Sequence, residues 1–199
     1  MAKRIQIESP VADIPLNRRV LVVDDNACIH DDFRKILGGT KSDTGMAASE
    51  TALFGATDFD EPAAGYDLEF AHSGEEAIEM VSAAARRGGE FAMTFLDVRM
   101  APGIDGVETA VRLLRATQDL QIVLCTAYSD YSWDQMRRML GETDRVLILK
   151  KPFDNIEVLQ CAATLTAKWR LQKESTRRIE GLTAFIEKRL CDDQERVER

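Results

Sequence analysis

Arg19-Val-Leu-Val-Val-Asp-Asp25 is a short, unbroken apolar run that ends on two acids. A run this brief and this rich in β-branched residues suggests a strand buried on both faces of a parallel sheet. The same phrase recurs downstream. A run from Tyr66 to Ala71 leads into Ser73, and Phe91-Ala-Met-Thr-Phe-Leu96 ends at Asp97. Gln121-Ile-Val-Leu-Cys125 ends at Thr126, and Val146-Leu-Ile-Leu149 ends at Lys150-Lys151-Pro152.

Between these runs the apolar residues fall at helical spacing. Ile29, Phe33, Ile36 and Leu37 precede the stop at Gly38-Gly39. Ser73-Gly-Glu-Glu76 reads as a capping box, with Ala77, Ile78, Val81 and Ala84 behind it. Val107, Ala110, Val111 and Leu114 mark a third helix; Trp133, Met136, Met139 and Leu140 mark a fourth; a fifth starts near Asn155. Five alternations of strand and helix predict an α/β domain over residues 18–165, a doubly wound five-stranded parallel sheet with helices on both faces. Right-handed crossovers leave few topologies, and we expect the flavodoxin-like order 2-1-3-4-5.

The chain of 199 residues has 45% hydrophobic and 30% charged residues and a formal charge of −8, the profile of a soluble globular protein. No apolar run reaches the ~20 residues of a membrane span, and the first residues lack a signal-peptide core. Cys28, Cys125, Cys161 and Cys191 are far apart, which argues against a zinc ribbon or disulfide framework and for a reducing cytoplasm. The negative balance argues against direct nucleic-acid binding.

Three segments lie outside the repeat. Residues 1–17 read as a loose tail. Residues 38–65, rich in Gly, Ala, Ser and Asp, are a long insertion between the first helix and the second strand, in which Ala47 to Phe54 could form a short amphipathic helix. Residues 166–199 continue the last helix. Residues 168–199 carry nine Lys+Arg and seven Asp+Glu, a local +2, so the rest of the chain holds −10. Leu165, Trp169, Gln172, Thr176, Ile179, Thr183, Ile186, Leu190, Asp193 and Val197 step by four and three, a heptad spacing with four of its ten slots polar. This predicts a weak coiled coil and a homodimer; the other reading is a solvated helix fraying past Ala167.

In an open α/β sheet, ligands bind outside the carboxyl ends of the strands. Here those ends carry Asp24 and Asp25, Asp97, Thr126 and Lys151. With the first and third strands adjacent, three carboxylates converge, and like charges so close disfavour each other's ionised forms. A hard divalent cation such as Mg²⁺ resolves that conflict, since it takes carboxylates, water and phosphate oxygens.

This constellation resembles the receiver domain of two-component response regulators, the chemotaxis-regulator-like phospho-acceptor found N-terminal to larger kinase and cyclase proteins. The resemblance covers about residues 18–165. It implies that Asp97 accepts a phosphoryl group from a histidine kinase or phosphotransfer protein. It also implies a Mg²⁺ site at Asp24, Asp25, Asp97 and the backbone carbonyl of Arg99. Thr126 and Lys151 would bind phosphoryl oxygens, and Pro152 would follow a cis peptide bond. On this reading the chain is not an enzyme beyond its own phosphorylation and dephosphorylation. In such proteins the last helix leads into a kinase, PAS or cyclase domain; here the sequence stops at Arg199, which leaves a fragment and a stand-alone regulator both open.

The sequence departs from the family in places. The turn Met100-Ala-Pro-Gly-Ile-Asp-Gly106 is one residue longer than the usual one, and Ile148 stands where receivers often carry an aromatic switch residue. Tyr128, Tyr131 and Trp133 are candidates to take over that role. Bulky Arg99 and Tyr128 beside the acceptor predict a long-lived phosphoryl state. An α/β phosphohydrolase with Asp97 as nucleophile is the alternative, although Arg99 fills the slot where such enzymes need a second Asp. A degenerate receiver serving only for dimerisation is another. Arg86-Arg-Gly-Gly-Glu-Phe91 resembles a cyclase signature by coincidence, His30 and His72 read as surface or packing residues, Cys125 as core and Cys191 as an exposed thiol.

Overall fold

The computed structural model describes residues 16–39, 65–127, 131 and 133–197. The expected helix at Ala47 to Phe54, Tyr128, and the side chains of Trp133 and Cys191 lie outside the described residues. The elements run β1 (Arg19–Val23), α1 (Ala27–Leu37), β2 (Asp67–Ala71), α2 (Gly74–Arg86), β3 (Met93–Asp97) and α3 (Gly106–Ala116), then β4 (Gln121–Thr126), α4 (Trp133–Leu140), β5 (Val146–Lys150) and α5 (Asn155–Val197). All five strands pair in parallel in the order β2-β1-β3-β4-β5, the order the sequence predicts.

Each central strand serves two cores because successive side chains point to opposite faces. Leu21, Val23, Leu96, Ile122 and Leu124 meet Ala77, Val81, Val107, Ala110 and Leu113 of α2 and α3. Val20, Val22, Phe95, Val123 and Cys125 meet Phe33 and Leu37 of α1 and Val158, Ala162 and Leu165 of α5.

Polar caps start the helices where the site needs them. Asn26 accepts the Cys28 N–H and starts α1 directly after the two acids. Ser73 accepts the Glu76 N–H, while the Glu76 carboxylate reaches back to the His72 N–H, one residue beyond the N-cap that a capping box would use. Asp105 accepts the Glu108 N–H at 2.8 Å and starts α3.

The described ends of the insertion almost touch. Tyr66 N–H donates to Leu37 C=O at 2.9 Å, and a Cβ on Gly65 would stand 2.5 Å from the Gly38 carbonyl group. This neck lies at the amino ends of the strands, opposite the acids.

The 43 residues of α5 extend about 65 Å at 1.5 Å per residue. Its first half packs on the domain, and from residue 175 to residue 187 its side chains are exposed. Leu165 and Trp169 are only 6% and 7% exposed, and the Gln172 side-chain oxygen accepts from Gln121 Nε2 at 2.7 Å. Lys173 Nζ lies 2.7 Å from Glu90 and 2.6 Å from Asp119. The heptad reading is therefore corrected at its start: Leu165, Trp169 and Gln172 are spent on the domain itself, because an intramolecular docking face has nearly the same period as a coiled-coil seam. Beyond it Ile179, Leu182, Phe185 and Ile186 are each more than half exposed.

Candidate functional site

The sheet register brings the predicted acids together. Val23 pairs with Leu96, so β1 and β3 end side by side, and the residues that follow or close them are Asp24, Asp25 and Asp97. One carboxylate oxygen from each lies within 4.8 Å of the others. Asp24 and Asp97 are 4% and 9% exposed, while Asp25 is open to solvent.

Lys151 enters from the next-but-one strand. Its N–H donates to Thr126 C=O at 2.8 Å, holding the end of β5 to the end of β4. Its ammonium lies 2.9 Å from Asp24 Oδ2 and 2.7 Å from Asp97 Oδ1. The peptide bond between Lys151 and Pro152 is cis, as expected; that between Ala101 and Pro102 is also cis. Asp97 Oδ2 accepts the Arg99 N–H at 3.0 Å, and Asp24 Oδ1 accepts the Asn26 N–H at 2.9 Å. Asp25 Oδ2 accepts the Ala101 N–H at 3.4 Å, drawing the long turn toward β1. The Thr126 hydroxyl donates to Ala127 C=O at 3.0 Å.

Charge in this cluster is out of balance. Burial pushes the Asp97 carboxyl above its ordinary range; Lys151 and the Arg99 N–H oppose that rise and Asp24 adds to it. Burial works against the Lys151 charge as well, but its bonds to Asp97 and Asp24 outweigh it and hold the ammonium above its usual value. The two directions agree physically: Lys151 faces two carboxylates, whereas Asp97 shares one ammonium with a like charge. Oxygen ligands in negative excess suit a hard divalent cation.

The acceptor turn is packed against the main chain of β3. The Gly106 N–H donates to Val98 C=O at 3.0 Å, and a Cβ at Gly106 would stand 2.0 Å from the Asp97 carbonyl oxygen. Gly106 is thus a steric requirement. Asp105, just before it, is a residue whose second contact no sequence pattern indicates: besides capping α3, it accepts the Tyr131 hydroxyl at 2.6 Å. The Asp-Gly pair ahead of an apolar helical pattern signals the cap but not the partner.

Two histidines stand beside the cluster. His30 is buried, its ring 4.7 Å from that of His72 and 4.9 Å from that of Phe70. Burial and then His72 push its pKa down, as befits a packing residue. Cys125 pairs in register with Asp97, and burial pushes its thiol up to about 12, leaving it an inert core group. Arg86 to Phe91 form the end of α2 and the turn into β3, with Gly88 at φ +71°.

Residues 59–163 match the family model of the response regulator receiver domain. The match includes Asp97, Thr126 and Lys151 and omits β1 with Asp24 and Asp25, which the insertion separates in sequence and the sheet restores between β2 and β3. No curated protein matches the sequence. Among solved structures, an adenylate cyclase from Rhodopirellula baltica superposes with a TM-score of 0.61 at 18% identity, covering 83% of this chain and 98% of that one. The signal receiver domain of an HD domain-containing protein from Pseudomonas fluorescens Pf-5 gives 0.58 at 17%, with 83% and 98% covered. A response regulator receiver protein from Sinorhizobium medicae WSM419 gives 0.53 at 20%, with 77% and 97% covered. At these identities the likeness concerns the fold, which is the receiver's parallel sheet in the order found here. With more than half of its residues matched by the family model, the chain belongs to the response regulator receiver domain family.

Proposed function

We propose that the chain is a phospho-accepting receiver of a two-component system, with Asp97 as the acceptor and a histidine kinase or phosphotransfer protein as donor. The observation that carries this reading is the trio of carboxylates within 4.8 Å at the carboxyl ends of β1 and β3, two of which, Asp24 and Asp97, are bridged by Lys151. An Asp97 carboxylate oxygen attacks the phosphorus of a phosphohistidine. The new O–P bond forms as the N–P bond breaks, and the imidazole nitrogen leaves with its electron pair and takes up a proton. Lys151 would meet one phosphoryl oxygen, and a rotated Thr126 hydroxyl another.

Mg²⁺ fits the donor set: Asp24, Asp25, Asp97 and the Arg99 carbonyl would hold it, and when bound it neutralises charge between the acids and the incoming phosphoryl group. The transfer is a single event on the protein's own residue, which is why we read the chain as a signalling module and not an enzyme.

The division we propose is a tail over 1–17, a receiver over 18–165 with the insertion at 38–65, and a signalling helix over 166–199. Its exposed stripe at Ile179, Leu182, Phe185 and Ile186 supports a homodimer through that helix. An adenylate cyclase and an HD domain-containing protein among the similar structures support an output beyond the receiver. The pattern of cysteines supports a cytoplasmic setting.

Incubation with Mg²⁺ and acetyl phosphate tests the reading. One phosphoryl group per chain, labile to hydroxylamine and lost in Asp97→Asn, is the expected result. Steady hydrolysis of phosphomonoesters without a modified Asp97 would overturn it in favour of a phosphohydrolase.

A further inference from the structure

On the reading of Asp24, Asp25, Asp97 and the Arg99 carbonyl as the Mg²⁺ site, we propose that Glu75 of α2 is a positioning residue for that site. Its carboxylate clamps the turn between β3 and α3, which carries the Arg99 carbonyl and reaches Asp25, and so raises the affinity for the cation.

The turn is one residue longer than the family's usual one, and each added residue brings backbone freedom that is lost when a main-chain oxygen is fixed as a ligand. Its two ends are secured from β3. The Arg99 N–H donates to Asp97 Oδ2 at 3.0 Å, and the Gly106 N–H donates to Val98 C=O at 3.0 Å. Between them the Ala101 N–H reaches Asp25 Oδ2 at 3.4 Å, a long bond that holds weakly. Glu75 adds an anchor from a different element: its Oε1 accepts the Ile104 N–H at 3.1 Å.

The main chain is shaped to receive this carboxylate. A Cβ on Gly103 would stand 2.8 Å from Glu75 Oε2 and 2.9 Å from Oε1, and Gly103 holds φ +128°, a conformation suited to glycine. The base from which Glu75 reaches is fixed as well. A Cβ on Gly74, the residue before it, would stand 2.0 Å from Thr109 Oγ1 and 2.8 Å from Ile104 Cγ1. The start of α2 is therefore pressed against Ile104 and the first turn of α3. Glu75 itself is exposed, so it fills no core. Its own N–H and then that of Ile104 hold its carboxyl below the ordinary range, which keeps it an ionised acceptor at neutral pH.

Groups that orient a metal's ligands without touching the metal are worth about 10–100-fold in affinity. Glu75 acts on the main chain next to the ligands, which places it at the lower end of that range.

Titration of the full chain with Mg²⁺, followed by backbone amide chemical shifts, tests this. Glu75→Ala is expected to weaken binding about tenfold and to quicken amide exchange at Ala101 and Ile104 in metal-free protein. Glu75→Gln should stay near the wild type, because its Oε1 still accepts the Ile104 N–H. Glu79→Ala removes the same charge from the same helix and should change nothing. Wild-type binding that is lost in Asp25→Asn, with unchanged affinity in Glu75→Ala, overturns the clamp alone. A lower Tm in Glu75→Ala at unchanged affinity also overturns it, by showing a merely structural role. Equal weakening in Glu75→Gln and Glu79→Ala assigns the effect to charge on α2 and overturns the bond as its cause. Absence of any wild-type response to Mg²⁺ overturns the cation-site reading, and the clamp with it.

Discussion

Lys151 Nζ stands 2.7 Å from Asp97 Oδ1, with Asp24 Oδ2 at 2.9 Å on its other side. One ammonium thus shields two buried carboxylates from each other. Lys151→Ala leaves both acids without that cation, and removing one partner of a buried pair is costly because the remaining charge stays buried. Lys151 keeps 27% of its side chain in solvent, so we expect about 1–3 kcal/mol of lost stability at pH 7, read from urea unfolding without divalent ions. A loss well below 1 kcal/mol would show that solvent already screens the pair.

Asp97→Asn is expected to move stability the other way. The folded-state pKa of Asp97 lies above its ordinary value, chiefly through burial. Stability is therefore lost as pH rises from the unfolded value through the folded one, and at pH 7 the ionised carboxylate is a net cost. The neutral isostere should raise Tm by about 2–4 °C in chelator-treated protein. Mg²⁺ should stabilise the wild type and leave the variant nearly unmoved. A variant melting below the wild type without metal contradicts the sign argued here.

The far end of the domain predicts an alkaline response. Burial opposes the charge of Lys173, yet its bonds to Asp119 and Glu90 dominate and raise its pKa. A cation so raised contributes stability that is present in full below its unfolded value and lost as pH climbs through the folded one. Unfolding free energy should therefore decline above about pH 10.5, and Lys173→Met should flatten that decline while costing about 1 kcal/mol at pH 7. Amide exchange along residues 168–176 should quicken in the same variant. Unaltered exchange there would mean Trp169 and Leu165 dock the helix by themselves.

Leu182→Asp should leave the receiver's Tm unchanged and abolish self-association in sedimentation, since Leu182 is 60% exposed and lies past the docked half of α5. Trp169→Ala should do the reverse, costing about 3–5 kcal/mol by emptying a core position. Full-length protein that sediments as a monomer at every concentration would remove the dimer from the picture.

How much of this was legible beforehand follows from the kind of interaction involved. Parallel strands buried on both faces must be apolar at every position, so Val20 to Val23 and Ile122 to Leu124 announce themselves. Polar residues that close such strands are equally visible, so Asp24, Asp25, Asp97, Thr126 and Lys151 can be picked out from sequence, and all five lie at the carboxyl ends of the strands. The link from Tyr131 to Asp105 spans 26 residues and depends on two loops meeting; no period encodes it. Nor does spacing distinguish a helix docking on its own domain from one pairing with a copy: Leu165 and Trp169 fit both patterns and pack on the domain. Gly106 could be read as a turn glycine, but its closeness to the Asp97 carbonyl appears only in three dimensions.

The narrow neck formed by Leu37, Gly38, Gly65 and Tyr66 has a practical corollary. Chain that leaves and returns through one gap places little strain on its exits, and lengthening a closed loop costs only about 0.6 kcal/mol per doubling. The stretch between Gly39 and Gly65 is thus a natural cassette. A reporter grafted there would ride on the end of the sheet remote from Asp97, able to watch the domain without standing in the way of its donor.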